Sequence, residues 1–364
     1  PSVGAKSFDI AQDRPVEGHR RDETAFRIWG PAVQLYGLRS ARNWGIGDFT
    51  DLKHLVEHWG GRGADVVGLN PLHALFPHNP HHLSPYSPSS RLGLNVLYLD
   101  VEAIEDFHEC RAARDRVNAQ HFQARLVRLR DAEFVDYAGA AAVKREILEL
   151  LYWSFRERHL AEESARAQQF RDYQMRAGKA LRGQALFEAL QEHFHARDAG
   201  VWGWPTWPLP YRDGASAEVK QFCDDHIARV EWFEYLQWQA DLQLGSVHEC
   251  CHQVGMQIGL YLDLAVSVDR AGAGVWRHAD VFAPHASVGA PPDEFNLLGQ
   301  NWGLPPLRPD RLVAHRYRSF IDTMRAAMRH AGAIRIDHVL GLMRLFWIPQ
   351  GRTAQQGAYV HYPL

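Results

Sequence analysis

Residues 333–338, AIRIDH, have the pattern of a short apolar strand that ends on three ionisable side chains. Alternate side chains of a strand share a face, so Arg335 and Asp337 are expected together, about 7 Å apart along the strand. The arginine is then close enough to keep the aspartate ionised. An oriented carboxylate at the end of such a strand suits nucleophilic attack on a sugar. A purely structural Arg–Asp pair is the open alternative.

A second strand pattern, IGLYLDLAV at 258–266, carries the same arrangement. Tyr261 and Asp263 share one face of it, and Asp263 lies near its end. Taken alone, this aspartate fits a helix cap or a loop anchor. Two aspartates that end two strands on the same side instead indicate a site for sugar hydroxyls.

The first part of the chain has the pattern of a strand–helix–strand unit. Strands are predicted at 33–38 and 65–72. Asp48 fits the N-cap of a helix that begins at Phe49 and ends at the glycines from Gly60 onward. Short connections between these elements predict parallel strands with a right-handed crossover.

The rest of the chain alternates helical stretches, loops and strands. Long loops are predicted at 73–93, 286–293 and 299–306. The other predicted elements are an extended run at 94–101, helices between 102 and 256, the strand at 258–266 and a helix at about 311–331.

Four apolar strands, each followed by a long loop, predict an α/β fold of the (β/α)8 TIM-barrel type, of which the N-terminal half is present. A large, mainly helical insertion is expected after the second strand. The predicted division is a linker or the end of an upstream domain at 1–31, the first part of the barrel at 32–101, the helical insertion at 102–256 and the truncated barrel continuation at 257–364.

Composition narrows the possible partners. The 364 residues carry a net charge of −3, which gives no electrostatic basis for binding nucleic acid or an anionic membrane. No apolar run reaches membrane-spanning length. The four cysteines show no disulfide-framework spacing, so a cytoplasmic location is expected.

Several ordered motifs of this sequence resemble the signatures of 4-alpha-glucanotransferases of the amylomaltase type, in their longer bacterial branch. The resemblance runs from about residue 30 to the end of the chain. The motifs are SPYSPSS at 84–90, GLYLDLAV at 259–266, ASVGAPPD at 286–293, GQNWGLPP at 299–306 and RIDH at 335–338.

This resemblance implies roles for seven residues. Asp337 would be the nucleophile, Arg335 would orient it and keep it ionised, Asp263 and Tyr86 would bind the donor sugar, Gln300 and Trp302 would line the acceptor side, and His338 would line the site or be structural. Maltodextrin donors and acceptors are the implied partners, and no cofactor or metal is expected.

A retaining mechanism also needs a carboxylic acid about 5–5.5 Å from the nucleophile. The resemblance places this glutamate at the end of the next barrel strand, beyond Leu364. The chain alone is therefore expected to have no transferase activity.

Two alternatives stay open. The motif HECCH at 248–252 matches H-E-x-x-H, in which two histidines bind zinc and a glutamate acts as base. That motif would make the protein a zinc-dependent hydrolase. The chain could also be a non-catalytic fragment that binds glucan.

Overall fold

The computed structural model describes residues 27–79 and 81–363. Most of the linker predicted at 1–31 lies outside these residues. From Trp29 onward the chain already packs on the fold, because Asp65 N donates to Trp29 O and Gly68 N donates to Pro31 O. Trp29 also packs edge-on against Trp59.

Ten strands occur in the described residues. They are β1 (Ala32–Val33), β2 (Val66–Leu69), β3 (His73–Ala74), β4 (Ser90–Leu94), β5 (Gly259–Leu264), β6 (Ala286–Ala290), β7 (Gln300–Asn301), β8 (Ala333–Ile336), β9 (Arg344–Pro349) and β10 (Ala358–His361). Four of them form a parallel sheet in the order β1-β2-β5-β8. The predicted parallel pairing of the first two strands is confirmed.

The two faces of the parallel sheet differ in their surroundings. Val67 and Leu260 on one face are fully buried, because helices cover that side. On the other face Tyr261 is 37% exposed and the side chain of Arg335 is 47% exposed. Asp263 pairs with Arg335 in the register of β5 and β8, so both side chains belong to this open face.

Eleven α-helices occur in the same part of the chain. They are α1 (Phe49–Gly60), α2 (Glu105–Glu109), α3 (Arg111–Asn118), α4 (Gln120–Asp131), α5 (Tyr137–Phe155), α6 (Ala165–His195), α7 (Ala217–Asp225), α8 (Ile227–Gln253), α9 (Ala273–Arg277), α10 (Pro309–Ala314) and α11 (Arg318–Met328). Seven of them, α2 to α8, lie between β4 and β5. Their buried side chains join those of the sheet in one core cluster.

Helix α1 begins as the sequence predicts. The Asp48 side chain accepts hydrogen bonds from Thr50 N and Asp51 N, and Asp51 completes a capping box with Asp48 N. Changing Asp48 to Ala is expected to destabilise the fold by about 1–2 kcal/mol, whereas Asn, itself a good cap, should cost much less. Urea unfolding of both variants checks this, and equal losses would contradict it.

The same residue predicts a pH dependence. Burial raises the pKa of Asp48 from 3.8 to about 6, against the opposing charge of Lys144. A folded-state pKa above the unfolded value means that ionisation costs stability as the pH rises from about 4 to 6. The amide side chain of D48N does not ionise, so this variant lacks this cost. Relative to wild type, the free energy of unfolding of D48N should therefore rise by roughly 1–3 kcal/mol between about pH 4 and 6. Urea unfolding midpoints of wild type and D48N at pH 4, 5, 6 and 7 measure this difference. If the difference between the two proteins does not change with pH, the pKa of Asp48 is not raised and the prediction is wrong.

The predicted loops at 286–293 and 299–306 are wrong in part. Both segments contribute strands to a second, antiparallel sheet in the order β10-β9-β6-β7. Strands β6 and β7 are short and rich in small or polar residues, so they lack the alternation that marks a strand in sequence. They form because β9 supplies a partner for β6.

Four other predicted segments are wrong in part. The loop predicted at 73–93 contains β3 and most of β4, which pair with each other. The strand predicted at 33–38 ends at Val33 and continues as a 3-10 turn, since Leu35 N is bound by the Asn70 side chain. The extended run at 94–101 contains a 3-10 turn at Val96–Tyr98. The helix predicted at 311–331 is divided into α10 and α11, because Arg316 and Tyr317 adopt positive φ angles.

No helix within residues 27–79 and 81–363 is both long enough and apolar enough to cross a membrane.

Candidate active site

The ends of β5 and β8 bring three predicted site residues together. Arg335 Nη1 lies 2.7 Å from Asp263 Oδ2, and Arg335 Nη2 lies 2.9 Å from Asp337 Oδ1. One guanidinium therefore bridges two carboxylates from neighbouring parallel strands. Its planar fork matches this task, because each of its nitrogens points at a different acceptor. The two aspartates lie at the same edge of the sheet, as predicted.

Asp263 is the more buried of the two carboxylates, with 7% of its surface exposed. Burial raises the pKa of Asp263, and the charge and hydrogen bond of Arg335 lower it. The negative charge of Asp337 raises it further. Asp263 Oδ1 is buried and lies without a hydrogen-bond partner among the described residues.

Tyr86 lies beside this group of charges. Burial and the charges of Asp263 and Asp337 raise the pKa of Tyr86, while Arg335 lowers it. The ring is 46% exposed, on the loop between β3 and β4. Ser87 Oγ, the next residue, donates to Asp269 Oδ2 at 3.2 Å. That bond ties the loop of Tyr86 to the segment that follows β5.

The predicted acceptor residues form a second group. Trp302 Nε1 donates to Gln300 Oε1 at 3.0 Å. The Trp302 ring meets the His338 ring edge-on, with their centroids 5.2 Å apart. Because His338 follows Asp337 directly, this contact places the aromatic pair next to the end of β8.

The sequence did not predict the direction of the His338 side chain, which depends on the backbone conformation of this residue. His338 adopts a left-handed conformation with φ 51°, which is uncommon for a residue other than glycine. The chain turns sharply there and enters a 3-10 turn at Val339–Leu342. His338 Nε2 is buried without a hydrogen-bond partner in the described part of the chain. The ring thus points towards Trp302 while Asp337 points towards Arg335.

Comparisons with known proteins identify the family. Residues 33–364 match the family model for 4-alpha-glucanotransferase. The chain belongs to the 4-alpha-glucanotransferase family.

Relatives in this family are considerably longer. The chain is 43% identical over 340 residues to a 4-alpha-glucanotransferase of Haemophilus influenzae, a match that covers 93% of this chain and 49% of the relative. It is 41% identical over 348 residues to one of Mycobacterium tuberculosis, covering 92% and 45%. The chain therefore spans about half the length of the curated relatives it matches.

Solved structures of similar proteins share the fold. An amylomaltase from Corynebacterium glutamicum matches with a TM-score of 0.77 and 32% identity, over 92% of this chain and 44% of that one. An amylomaltase from Streptococcus agalactiae in complex with acarbose matches with a TM-score of 0.75 and 22% identity, over 92% and 64%.

Two buried residues that support the site in this 4-alpha-glucanotransferase family member were missed from sequence. Arg91 Nη1 donates to Ala265 O and Val266 O at 3.0 Å each, which fixes the chain just after Asp263. His73 Nε2 accepts from Ala265 N. Burial lowers the pKa of His73 to about 3, helped by the Arg91 charge, so the ring is neutral and able to accept. No sequence signal separates such residues from other buried polar groups.

The zinc-hydrolase alternative is not favoured by the structure or by the family. His248 and His252 lie in the last turns of α8, just before β5 begins. They therefore lie at the edge of the sheet where β5 begins, whereas Asp263 lies about 13 Å further along the strand, at the opposite edge. In residues 27–79 and 81–363, no group of three or more potential metal ligands has the arrangement of a metal site.

Proposed function

We propose that this chain forms the donor-binding and nucleophilic part of a 4-alpha-glucanotransferase that acts on α-1,4-glucans. The observation that carries the proposal is the guanidinium of Arg335 bound to Asp263 and Asp337 at once. A fixed cation orients one carboxylate for attack and leaves the other to accept hydroxyl groups.

The proposed reaction is a double displacement with retention. An Asp337 oxygen attacks the anomeric carbon of the donor glucose, the glycosidic bond breaks, and the leaving sugar oxygen receives a proton from an acid. The 4-hydroxyl of an acceptor glucan then loses its proton to that same group and attacks the glucosyl ester. Asp337 is released as a carboxylate, so charge and atoms balance.

The other predicted residues are assigned by their position. Asp263 contacts Arg335 and Tyr86 lies beside both, and the two are proposed to hold donor hydroxyls. Trp302 and Gln300, joined by a hydrogen bond, are proposed to stack against and bind the acceptor sugar. Holding a sugar there would favour transfer over hydrolysis through proximity. His338 is proposed to support the Trp302 ring rather than to contact substrate.

We propose that the acid/base carboxylate comes from a part of the enzyme that this chain does not include. In the described residues, the ion pairs of Arg335 involve Asp263 and Asp337 alone. Asp263 is held against the guanidinium and is poorly placed to give up a proton. The parallel sheet and the helices α2 to α8 support the wider proposal of half a (β/α)8 barrel with an insertion at 102–256.

The partners proposed for the complete enzyme are maltodextrin donors and acceptors, in the cytoplasm. Acarbose, a sugar analogue, is bound in the Streptococcus agalactiae amylomaltase structure. A related site in this chain would accept oligosaccharides of that general shape.

The chain alone is expected to leave maltotriose unchanged, because no acid from the described residues is assigned to complete the site. A chimera in which this chain replaces the matching segment of the Haemophilus influenzae relative is expected to convert maltotriose into glucose and longer maltodextrins. Chromatography of the reaction mixtures over time measures maltotriose, glucose and longer maltodextrins for the chain alone and for the chimera. Turnover by the chain alone that is lost in D263N would instead make Asp263 the acid/base group. Maltodextrin binding by the chimera without turnover would favour a non-catalytic glucan-binding protein.

A further inference from the structure

Two histidine rings converge on the last turns of α8. His248 and His252 are four residues apart, and so share a helical face. Their Nε2 atoms are 3.1 Å apart. Their ring centroids are 4.6 Å apart and the ring planes are nearly perpendicular, at 87°.

These distances do not describe a straight hydrogen bond between the rings. With a nitrogen 3.1 Å from its partner and both ring axes in line, the centroids would be about 5.4 Å apart. The observed 4.6 Å means that the two ring axes are not in line. Two nitrogens at about 2.0–2.1 Å from one ion, separated as these are, subtend about 98° at it. That angle suits neighbouring ligands of a transition metal ion.

The surroundings leave the two histidine rings accessible from the surface. His252 is exposed and His248 is half-buried, whereas the intervening Cys250 and Cys251 are buried on the other side of the helix. Burial lowers the pKa of His248, and the charges of His252 and His330 lower it further. His330 is itself held by Asp241, at 2.8 Å.

We propose that His248 and His252 form a two-histidine site for a divalent transition metal ion such as zinc, with water completing its coordination. Imidazole nitrogens are common ligands of such ions. The ion would link two turns of α8 immediately before β5 and would stabilise the folded chain. Because the pair lies at the edge of the sheet opposite Asp337, the site has no part in the glucanotransfer reaction. The proposed metal site does not depend on the proposed glucanotransferase function.

The chain contains a matched control pair. His54 and His58 have the same four-residue spacing on the exposed side of α1. No hydrogen bond joins their rings in the described structure, and His58 packs edge-on against Trp59 instead. Replacing this pair removes two exposed helical histidines without touching the converging rings.

Calorimetric titration of zinc chloride into the chain, prepared without a histidine tag, tests the site. We expect one zinc ion per chain and a zinc-dependent rise in melting temperature. H248Q or H252Q should weaken zinc binding by more than about tenfold and abolish the rise. The control H54Q/H58Q should change the affinity by less than about twofold.

Two results would overturn the proposal. Zinc binding that is equal in wild type, H248Q and H252Q would show that the ion binds elsewhere. No zinc binding at all would show that the rings are joined only by a bent hydrogen bond. Melting temperatures without zinc should agree among all four proteins, which establishes that the variants fold.

Discussion

Replacing Asp337 with asparagine is expected to lower the turnover of the chimera on maltotriose by about 10⁴-fold or more. The amide keeps the size of the carboxylate and can still accept from Arg335 Nη2, which lies 2.9 Å from Asp337 Oδ1. What it loses is the charge and nucleophilicity needed to form a glucosyl ester. Rates of glucose release from maltotriose, measured at saturating substrate, give the size of the effect.

The control for this variant is D310N. Asp310 also pairs with an arginine, Arg308, at 2.7 Å, but on the exposed surface of α10. Its replacement should change turnover by less than about twofold, since exposed ion pairs contribute little. A D337N chimera that retains a tenth or more of its activity would rule out Asp337 as the nucleophile.

Replacing Arg335 with glutamine is expected to lower kcat/KM by about 10²–10³-fold, with R335K between the glutamine variant and wild type. Lysine keeps the charge, but its single ammonium group cannot reproduce the two contacts at 2.7 and 2.9 Å. Both aspartates would lose their fixed orientation. The matched control is R308K in the exposed pair with Asp310.

The pH profile separates this role from a merely structural one. Burial raises the pKa of Asp263, and Arg335 is the largest influence that lowers it. Without the guanidinium that pKa rises further, so Asp263 becomes protonated at a higher pH. The acid limb of kcat/KM should therefore move to higher pH in R335Q. A uniform loss at every pH, with the limb unmoved, would contradict the assigned role.

The strand-end residues were the most predictable part of the site. Alternation along two apolar strands is a local property, and it correctly placed Asp263, Arg335 and Asp337 on one face. Their contact follows from the parallel register of β5 and β8, which pairs Asp263 with Arg335. The motif resemblance added Tyr86, Gln300, Trp302 and His338, whose roles stay predictions.

The parts that sequence did not predict depend on distant partners. Strands β6 and β7 pair within a sheet that also contains β9 and β10, and no local pattern specifies that sheet. The break between α10 and α11 depends on the positive φ angles of Arg316 and Tyr317, which neither residue type favours. Arg91 and His73 matter because they bind the chain after Asp263, a contact that joins residues far apart in sequence.

In the proposed reaction, Asp337 becomes covalently bonded to the donor sugar. The chimera can be incubated with 5-fluoro-α-glucosyl fluoride, quenched in acid and digested with trypsin. Cleavage after Arg335 yields the peptide 336–344, in which Asp337 is the only side-chain carboxylate, whereas Asp263 falls in a separate peptide. We predict a fluoroglucosyl mass increment on peptide 336–344 that is absent in D337N. A label on the Asp263 peptide, or none while the enzyme continues to release fluoride, would contradict the account.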